Sequence, residues 1–306
     1  MLAMDVFLLK REFCEKRRQQ MIGFIGIGIM GSRMAGRLQN AGESLVVYNR
    51  TKSKANPLIE KGAKWAESPR TVGEQADIIF TMLATPQAVD AVAYGEDGLL
   101  NGLKPGSLWV DSSTINPAHS IKLAQAASDK GIHFLDAPVA GSTAPAENGE
   151  LIFFVGGDAK DVETVRPLLN IMGKSVQHKG ANGSGTAMKL VNNLMLGQTV
   201  AAFSEAVAFG ESLGLEKEAL IQSLLSGPTA APILHFKQKK IMDQDFENAD
   251  FKVSSIYKDM ELASEEAYAH NFALPISNLV KSLYGLVKQQ GEGEYDFAAI
   301  YALLKK

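Results

Sequence analysis

The feature that most constrains this chain is an apolar strand followed at once by a glycine-rich turn and an amphipathic helix. The apolar run Met21–Gly26 leads into residues 26–31, G-I-G-I-M-G, and helical spacing of apolar residues continues to about Ala41. The first glycine makes the turn, the second admits a pyrophosphate, and the third lets helix and strand pack. This context predicts a dinucleotide-binding unit. The predicted binding residues are Gly26, Ile27, Gly28, Ile29, Met30 and Gly31.

The end of the second predicted strand indicates which dinucleotide binds. Strand Ser44–Tyr48 is followed by Asn49, Arg50 and Thr51, whereas an NAD site usually has an acidic residue here that binds the ribose 2′-hydroxyl. Arg50 can bind a 2′-phosphate through its planar guanidinium. We therefore predict NADP(H) as the cofactor, with Asn49, Arg50 and Thr51 among the residues that bind it.

Further apolar segments alternate with helical patterns. Strands are predicted at 77–83, 108–111, 133–136 and 151–156. This alternation predicts a mostly parallel, doubly wound sheet, which binds ligands at the carboxyl ends of its strands. We expect the cofactor at the ends that carry Met82–Pro86, Ser112–Thr114 and Pro138–Ser142, with Met82 and Leu83 among the residues that bind it.

From Gly183 onward only helical patterns remain. Helices are predicted at 183–213, 217–225, 232–240, 252–270, 276–290 and 297–304. The predicted fold class is α/β, with an N-terminal Rossmann-like domain at 21–182. An all-α C-terminal domain at 183–306, which begins with a long interdomain helix, follows it.

Composition excludes several classes of function. The 306 residues are 46% hydrophobic and 21% charged, with a net charge of −3 and no run of like charges, so neither nucleic acid nor an anionic membrane is expected as a partner. One cysteine, Cys14, excludes an intrachain disulfide framework and agrees with a cytoplasmic location. Five histidines without ligand spacing predict no metal site. No apolar run approaches the roughly 20 residues that span a bilayer.

Residues 1–20 are expected to be an extension outside the fold. Their apolar patch, Val6–Leu9, precedes a basic segment, which is the reverse of the order in a signal peptide, and no small-residue cleavage site follows.

Two polar residues on the long predicted helix indicate a chemistry. Lys189 and Asn193 are four residues apart, so their side chains emerge one turn apart on one helix face. A lysine and a carboxamide aimed at one point can hold and protonate a carbonyl oxygen. Taken alone, the pair favours an ordinary helix that exposes a lysine, and only the other motifs of the chain favour the chemical interpretation.

Four stretches together resemble the β-hydroxyacid dehydrogenases, a family that includes 3-hydroxyisobutyrate dehydrogenase and the glyoxylate/succinic semialdehyde reductases. The family's G-F-I-G-L-G-x-M-G resembles residues 23–31, and its D-A-P-V-S-G-G resembles residues 136–142. Its G-x-G-x-x-x-K-x-x-x-N resembles residues 183–193, and its later K-D pair resembles Lys258-Asp259.

The resemblance implies roles for these residues. Lys189 is implied as the general acid/base and Asn193 as the residue that holds substrate and lysine in register. Thr114 and Lys258 are implied to bind the cofactor, and Phe251 and Asp259 to belong to the substrate site. The predicted function is the NADPH-dependent reduction of a small aldehyde acid, such as glyoxylate or succinic semialdehyde, to the hydroxy acid.

The chain departs from the family pattern at two places. Ala140 replaces the family's substrate-binding serine, so the substrate carboxylate is expected to bind Gly141, Ser142 or the Thr143 hydroxyl instead. Residues 253–255, V-S-S, replace the L-K-H of the semialdehyde reductases. In contrast, residues 145–151, P-A-E-N-G-E-L, are similar to the P-A-E-D-G-x-L of that subgroup.

Three alternatives remain open from the sequence. The first is NAD(P)-dependent oxidation of 3-hydroxyisobutyrate or another β-hydroxyacid, against which Arg50 argues if the cofactor is NAD. Imine reduction and an inactive nucleotide-binding scaffold are the others, and the presence of Lys189 counts against both.

The apolar helix after Gly183 is predicted to be buried within a domain or against a partner. The family resemblance favours a homodimer or homotetramer.

Overall fold

The computed structural model describes residues 21–305, so the predicted extension at residues 1–20 lies outside the described residues. The chain forms two compact units, and the division between them falls between Lys189 and Leu190. The first unit contains the sheet and the second is helical.

One sheet contains the nine strands found within residues 21–305. Its strands are β1 Met21–Ile25, β2 Ser44–Tyr48, β3 Lys64–Trp65, β4 Ile78–Thr81, β5 Leu108–Asp111, β6 His133–Asp136, β7 Val139–Ala140, β8 Leu151–Gly156 and β9 Gly173–Gly180. The spatial order is β3-β2-β1-β4-β5-β6-β8-β7, with β9 paired to β8. The pairs from β3 through β6 are parallel, and β8 runs antiparallel to β6 and β7. The predicted mostly parallel sheet is confirmed.

Helices of the first unit follow most of the strands. They are α1 Ile29–Asn40, α2 Asn56–Glu60, α3 Pro69–Gln75, α4 Pro86–Ala93, α5 Leu99–Gly102, α6 Pro117–Ser128, α7 Thr143–Asn148 and α8 Ala159–Met172. The strand order changes direction at β1 and β4, where the connection after β1 leads to β2 on one side and the chain later returns to β4 on the other. This change of direction creates the crevice at which doubly wound sheets bind their ligands.

Both faces of the sheet are buried. Phe24 and Phe80 lie in one hydrophobic cluster, with ring centroids 6.0 Å apart, whereas Ile79 and Trp109 lie in a second cluster. Neighbouring residues of a strand point to opposite faces, so a strand covered on both sides is a continuous apolar run. This explains why these strands were predictable from sequence.

The second unit is built from helices that surround a large apolar core. They are α9 Ser184–Ser212, which begins in the first unit, α10 Lys217–Ser226, α11 Pro232–Asp243, α12 Val253–Ala269, α13 Pro275–Val287 and α14 Ile300–Leu304. Val200, Val207, Tyr284 and Tyr301 are fully buried in this core. None of the helices in the described part of the chain combines the length and the apolar character needed to cross a membrane.

Three strands differ from the sequence-based expectation. β3 and β7 have two residues each, which is too short for a periodic signal, and β9 reads G-K-S-V-Q-H-K-G and is mostly exposed or half-buried. The division into units falls after Lys189, whereas the predicted domain boundary is at residues 182 and 183.

Candidate active site

The glycine-rich turn joins β1 to α1 and has no room for side chains at two positions. Gly26 has φ +98°, and a Cβ there would lie 2.3 Å from the carbonyl oxygen of Met82. A Cβ on Gly31 would lie 1.9 Å from the carbonyl oxygen of Gly26. A Cβ on Gly28, in contrast, would meet no atom within 4 Å. The turn is therefore tight against the protein and open outward, in front of the α1 N-terminus.

Asn49 braces this turn against the end of β2. Its Oδ1 accepts a 3.0 Å hydrogen bond from the Ile27 N–H, and its Nδ2 donates to the Thr51 carbonyl at 2.9 Å. Arg50, the next residue, is exposed. The structure thus assigns the Asn49 side chain to the backbone of the two loops and leaves the Arg50 guanidinium accessible to a ligand.

The ends of β4 and β5 are joined through a buried carboxylate. Oδ1 of Asp111 accepts hydrogen bonds from the hydroxyls of Thr81 and Ser113, both at 2.6 Å, and Ser113 Oγ in turn accepts from the Leu83 N–H at 2.9 Å. Burial raises the pKa of Asp111, and the hydrogen bonds from Ser113 and Thr81 offset this only in part. The network fixes the loop of Met82 and Leu83 beside the loop that leads to the half-buried Thr114.

A second buried carboxylate, Asp136 at the end of β6, holds the start of α9. Its Oδ1 accepts from the Gly183 N–H, and its Oδ2 accepts from the Thr186 N–H, both at 2.8 Å. The Thr186 hydroxyl lies 3.3 Å from the same Oδ2. Burial raises the pKa of Asp136, and these hydrogen bonds offset the effect only in part. Asp136 therefore acts as a cap, supplied from the sheet, for the first turn of α9.

Gly185 explains why this turn can approach the sheet. A Cβ at this position would lie 2.4 Å from the Phe154 carbonyl oxygen and 2.6 Å from that of Asp136. Any side chain would push the helix away from the strand ends. Lys189 lies one turn after Gly185 on the same helix and is only 8% exposed. Lys189 is thus carried by a helix whose first turn is held in place against the ends of the strands.

The predicted substrate segment follows β6. Ala140 is in β7 and half-buried, Gly141 is exposed with φ +115°, and Ser142 is the residue before α7. A Cβ on Gly141 would lie 3.0 Å from side-chain atoms of both Leu151 and Pro145. The segment is therefore a constrained turn whose backbone faces outward at Gly141.

Predicted residues of the second unit meet around Asp259. Asn193 Nδ2 donates a 2.6 Å hydrogen bond to Asp259 Oδ2, and Lys258 Nζ forms a 2.8 Å ion pair with Asp259 Oδ1. Asn193 is fully buried and Asp259 is 3% exposed. Phe251 lies before α12 and packs edge-on against Phe297, with ring centroids 5.6 Å apart. The structure joins Asn193, Lys258 and Asp259, whereas Phe251 belongs to a neighbouring aromatic contact.

Sequence reasoning did not assign a role to Asp111 or Asp136. Each is the last residue of a buried strand, and a carboxylate at such a position needs hydrogen-bond donors from its surroundings. A carboxylate at the end of a buried strand is the signal that could have indicated a positioning role. The donors to Asp136 are 47 and 50 positions away, so a local sequence pattern cannot identify them.

Comparison with known protein families identifies the class of protein. Residues 21–180 match the NAD binding domain of 6-phosphogluconate dehydrogenase, and residues 183–304 match the family described as NAD-binding of NADP-dependent 3-hydroxyisobutyrate dehydrogenase. Fold and site together define an NAD(P)-dependent oxidoreductase that acts on a hydroxyl or aldehyde group. More specifically, the chain belongs to the β-hydroxyacid dehydrogenase family.

Individual relatives cover nearly the whole chain. Glyoxylate/succinic semialdehyde reductase 2, chloroplastic, from Arabidopsis thaliana is 40% identical over 93% of this chain and 79% of that protein. NAD-dependent L-serine dehydrogenase from Pseudomonas aeruginosa is 37% identical over 92% of this chain and 97% of that protein. The structure of Mycobacterium tuberculosis 3-hydroxyisobutyrate dehydrogenase with L-serine has a TM-score of 0.86 at 27% identity, covering 94% of this chain and 99% of that chain.

Proposed function

We propose that this protein reduces a small aldehyde acid to the hydroxy acid with NADPH, and that Lys189 is the general acid. The observation that carries the proposal is the burial of Lys189 on a helix whose first turn is capped by Asp136. A buried lysine on a helix that is held at the strand ends of a dinucleotide-binding sheet is suited to proton transfer. The 40% identity with a glyoxylate/succinic semialdehyde reductase supports the same reaction class.

The residues present fit a dinucleotide. Gly26 and Gly31 admit no Cβ, and the space beyond Gly28 is open. The first N–H groups of α1 have no acceptor within the helix and carry the positive end of its dipole, which favours phosphate. Arg50 supports NADPH over NADH, because its exposed guanidinium follows β2 where an NAD site has a carboxylate.

The bound nicotinamide supplies the hydride that reduces the aldehyde carbon. Lys189 then has two tasks, since its ammonium stabilises the negative charge that develops on the carbonyl oxygen and donates a proton to it. Asn193 lies one helical turn further on. One N–H of its amide is directed at Asp259, and we assign the second N–H to the substrate oxygen. Asp259 thereby fixes which end of the amide serves as donor.

The substrate class is proposed from the segment after β6. With Ala140 in place of a serine, the carboxylate of the substrate is assigned to the backbone N–H of Gly141 and to the side chains of Ser142 and Thr143. The exposed position of Gly141 supports this, because a glycine has no side chain of its own to shield its backbone from a ligand. Glyoxylate and succinic semialdehyde are the substrates proposed first.

A second candidate is the oxidation of a β-hydroxyacid with NAD or NADP. The specific observation in its favour is the 37% identity with an NAD-dependent L-serine dehydrogenase. In this direction Lys189 in its neutral form would take the proton from the hydroxyl group.

The active form is proposed to be a homo-oligomer. Large apolar side chains of α9, among them Val191, Met195 and Phe209, and that of Leu213 just after it are exposed in the single chain, with exposed fractions of 55–65%. Such a row on one helix is typical of an interface with a second copy. Light scattering is expected to give two or four chains per particle. A monomer with full activity would contradict this part of the proposal.

The reaction itself is tested by following absorbance of reduced nicotinamide with NADPH and NADH against glyoxylate and succinic semialdehyde. NADPH-dependent turnover of one of them is expected. If no aldehyde acid is reduced, while serine or another β-hydroxyacid is oxidised with NAD, the second candidate replaces the first.

A further inference from the structure

A buried ion pair of the second unit has an unusual set of partners. Lys237 of α11 and Asp296 are 2.7 Å apart between Nζ and Oδ2, and the residues are 2% and 0% exposed. The desolvation of a buried ion pair offsets most of its attraction, so such a pair is weak evidence for a role in stability alone. The groups that surround the carboxylate indicate what else it does.

Asp296 organises the segment that leads into α12. Its Oδ2 accepts from the N–H groups of Asp250 at 3.0 Å and Phe251 at 3.3 Å, while its Oδ1 accepts from the Ala298 N–H at 3.0 Å. Its own N–H donates to the Phe246 carbonyl at 2.7 Å. One carboxylate therefore ties residues 246–251 to the turn that begins the C-terminal helical segment.

Phe251 is consequently held from both sides of its backbone. Its N–H is bound by Asp296, and its carbonyl accepts a 2.9 Å hydrogen bond from the Phe297 N–H. The Lys237 ammonium lies 5.0 Å from the centroid of the Phe297 ring, against which Phe251 packs. The residue after Phe251, Lys252, is the N-cap of α12, the helix that carries Asp259.

We propose that Asp296, oriented by Lys237, is a positioning residue for substrate binding that acts through Phe251. The proposal rests on the proposed function and on the place in the substrate site that the family resemblance implies for Phe251. Three backbone N–H groups and one ammonium donate to the two oxygens of Asp296. Only a carboxylate has an acceptor oxygen at each of these two positions. An asparagine would place an NH₂ group, itself a donor, where one of these oxygens lies, so the donors on that side would lose their acceptor. No contact of Asp296 with substrate is involved.

The test compares Asp296→Asn with Asp250→Asn. Both remove one carboxylate near Lys237, but the Asp250 carboxylate is 42% exposed and lies 3.3 Å from Nζ. Asp296→Asn is expected to raise the KM for the aldehyde about tenfold, the equivalent of one lost hydrogen bond to a charged group, with the Kd for NADPH unchanged. Asp250→Asn is expected to change KM less than about twofold, in keeping with a partly exposed pair.

A double-mutant cycle with Phe251→Ala separates positioning from general stability. If Asp296 acts through Phe251, Asp296→Asn adds almost nothing to KM once the phenyl ring is gone. Equal effects in both backgrounds would overturn the proposal. So would a loss of folded, NADPH-binding protein with KM unchanged, because that is the result of a merely structural role. If Phe251→Ala alone leaves KM unchanged, Phe251 has no role in substrate binding and the proposal for Asp296 is overturned. The proposed reductase activity of the wild type is not affected by that result.

Amide hydrogen exchange provides a readout that needs no substrate. The amides of Asp250 and Phe251 are expected to exchange about tenfold faster in Asp296→Asn, while those of β1 keep their rates. If Asp296→Asn does not fold, Lys237→Met retains the carboxylate and is expected to change KM and these rates in the same direction by a smaller factor. Unchanged protection of both amides would overturn the proposal whatever the substrate.

Discussion

Asn193 donates a 2.6 Å hydrogen bond to Asp259, a residue 66 positions away, and both side chains are buried. The carboxylate also forms the ion pair with Lys258, and Asn193 Oδ1 accepts a 3.0 Å hydrogen bond from Asn192 Nδ2, so residues of both α12 and α9 orient this amide. An asparagine on its own has no preferred orientation of its oxygen and nitrogen. Asp259 fixes the nitrogen end, because a carboxylate accepts hydrogen bonds and cannot donate them, and the donor Asn192 Nδ2 holds the oxygen end.

The first prediction concerns this orientation. Asp259→Asn leaves an acceptor for Asn193 but removes the charge, so either amide can turn. We expect kcat to fall roughly 10- to 100-fold, from the loss of about 1.5–3 kcal/mol of a hydrogen bond to a charged group. Steady-state kinetics measure it, and Glu261→Gln, exposed on the same helix, is the matched control. Equal kcat values for the two variants would contradict the role of Asp259.

The second prediction concerns proton transfer. Lys189→Met keeps most of the buried alkyl chain and removes the ammonium, so turnover is expected to fall by about 10²–10⁴. Fluorescence titration is expected to give an unchanged Kd for NADPH. Lys174→Met, at an exposed lysine of β9, controls for the loss of a positive charge. Normal turnover in Lys189→Met would eliminate it as the general acid.

The third prediction concerns the 2′-phosphate. Arg50→Asp replaces a group that attracts the phosphate with one that repels it, so the Kd for NADPH is expected to rise about 10- to 100-fold. The Kd for NADH, which lacks this phosphate, is the internal control and is expected to change little. Equal weakening of both cofactors would mean that Arg50 does not contact the 2′-phosphate.

The fourth prediction concerns Ala140. Ala140→Ser adds a hydroxyl at the half-buried position of β7, and the KM for glyoxylate is expected to fall about three- to tenfold, as one added hydrogen bond allows. Propionaldehyde, which has no carboxylate, is the control substrate. A KM for glyoxylate that does not change would show that other groups already satisfy the carboxylate.

The fifth prediction concerns stability and pH. Glu211, near the end of α9, accepts hydrogen bonds from the Tyr301 hydroxyl and, at 3.0 Å, from Lys305. Burial raises the pKa of Glu211, but these two hydrogen bonds and the positive charges of Lys305 and Lys217 together outweigh burial, so the pKa lies below the ordinary glutamate value. A lowered folded-state pKa means that the stabilisation is complete above the unfolded-state pKa and is lost as pH falls through the folded-state value.

Glu211→Gln is therefore expected to lower the free energy of unfolding by about 1 kcal/mol near pH 7. The difference from wild type is expected to shrink as pH falls below the ordinary glutamate pKa, about 4.3. Urea unfolding at several pH values measures this. A difference that stays constant over the whole range would show that the charge of Glu211 contributes nothing.

The sequence predicted what depends on local periodicity and missed what depends on distant partners. Ser44–Tyr48 and Leu108–Asp111 were predicted to the residue, because strands buried on both faces are uninterrupted apolar runs. β9 was missed because it has one large apolar residue, Val176, and its pairing with β8 is set by the sheet. The pairing of Lys237 with Asp296, 59 positions apart, has no local signal at all.

The cap that Asp136 provides has a consequence for how the chain can be divided. A cut at residues 182 and 183, where the sequence pattern changes from strands to helices, would leave a buried carboxylate without its donors Gly183 and Thr186. A cut after Lys189 keeps both donors with Asp136. A nucleotide-binding fragment that keeps both donors thus extends at least to Thr186 in the first turn of α9, three residues before the proposed general acid, Lys189.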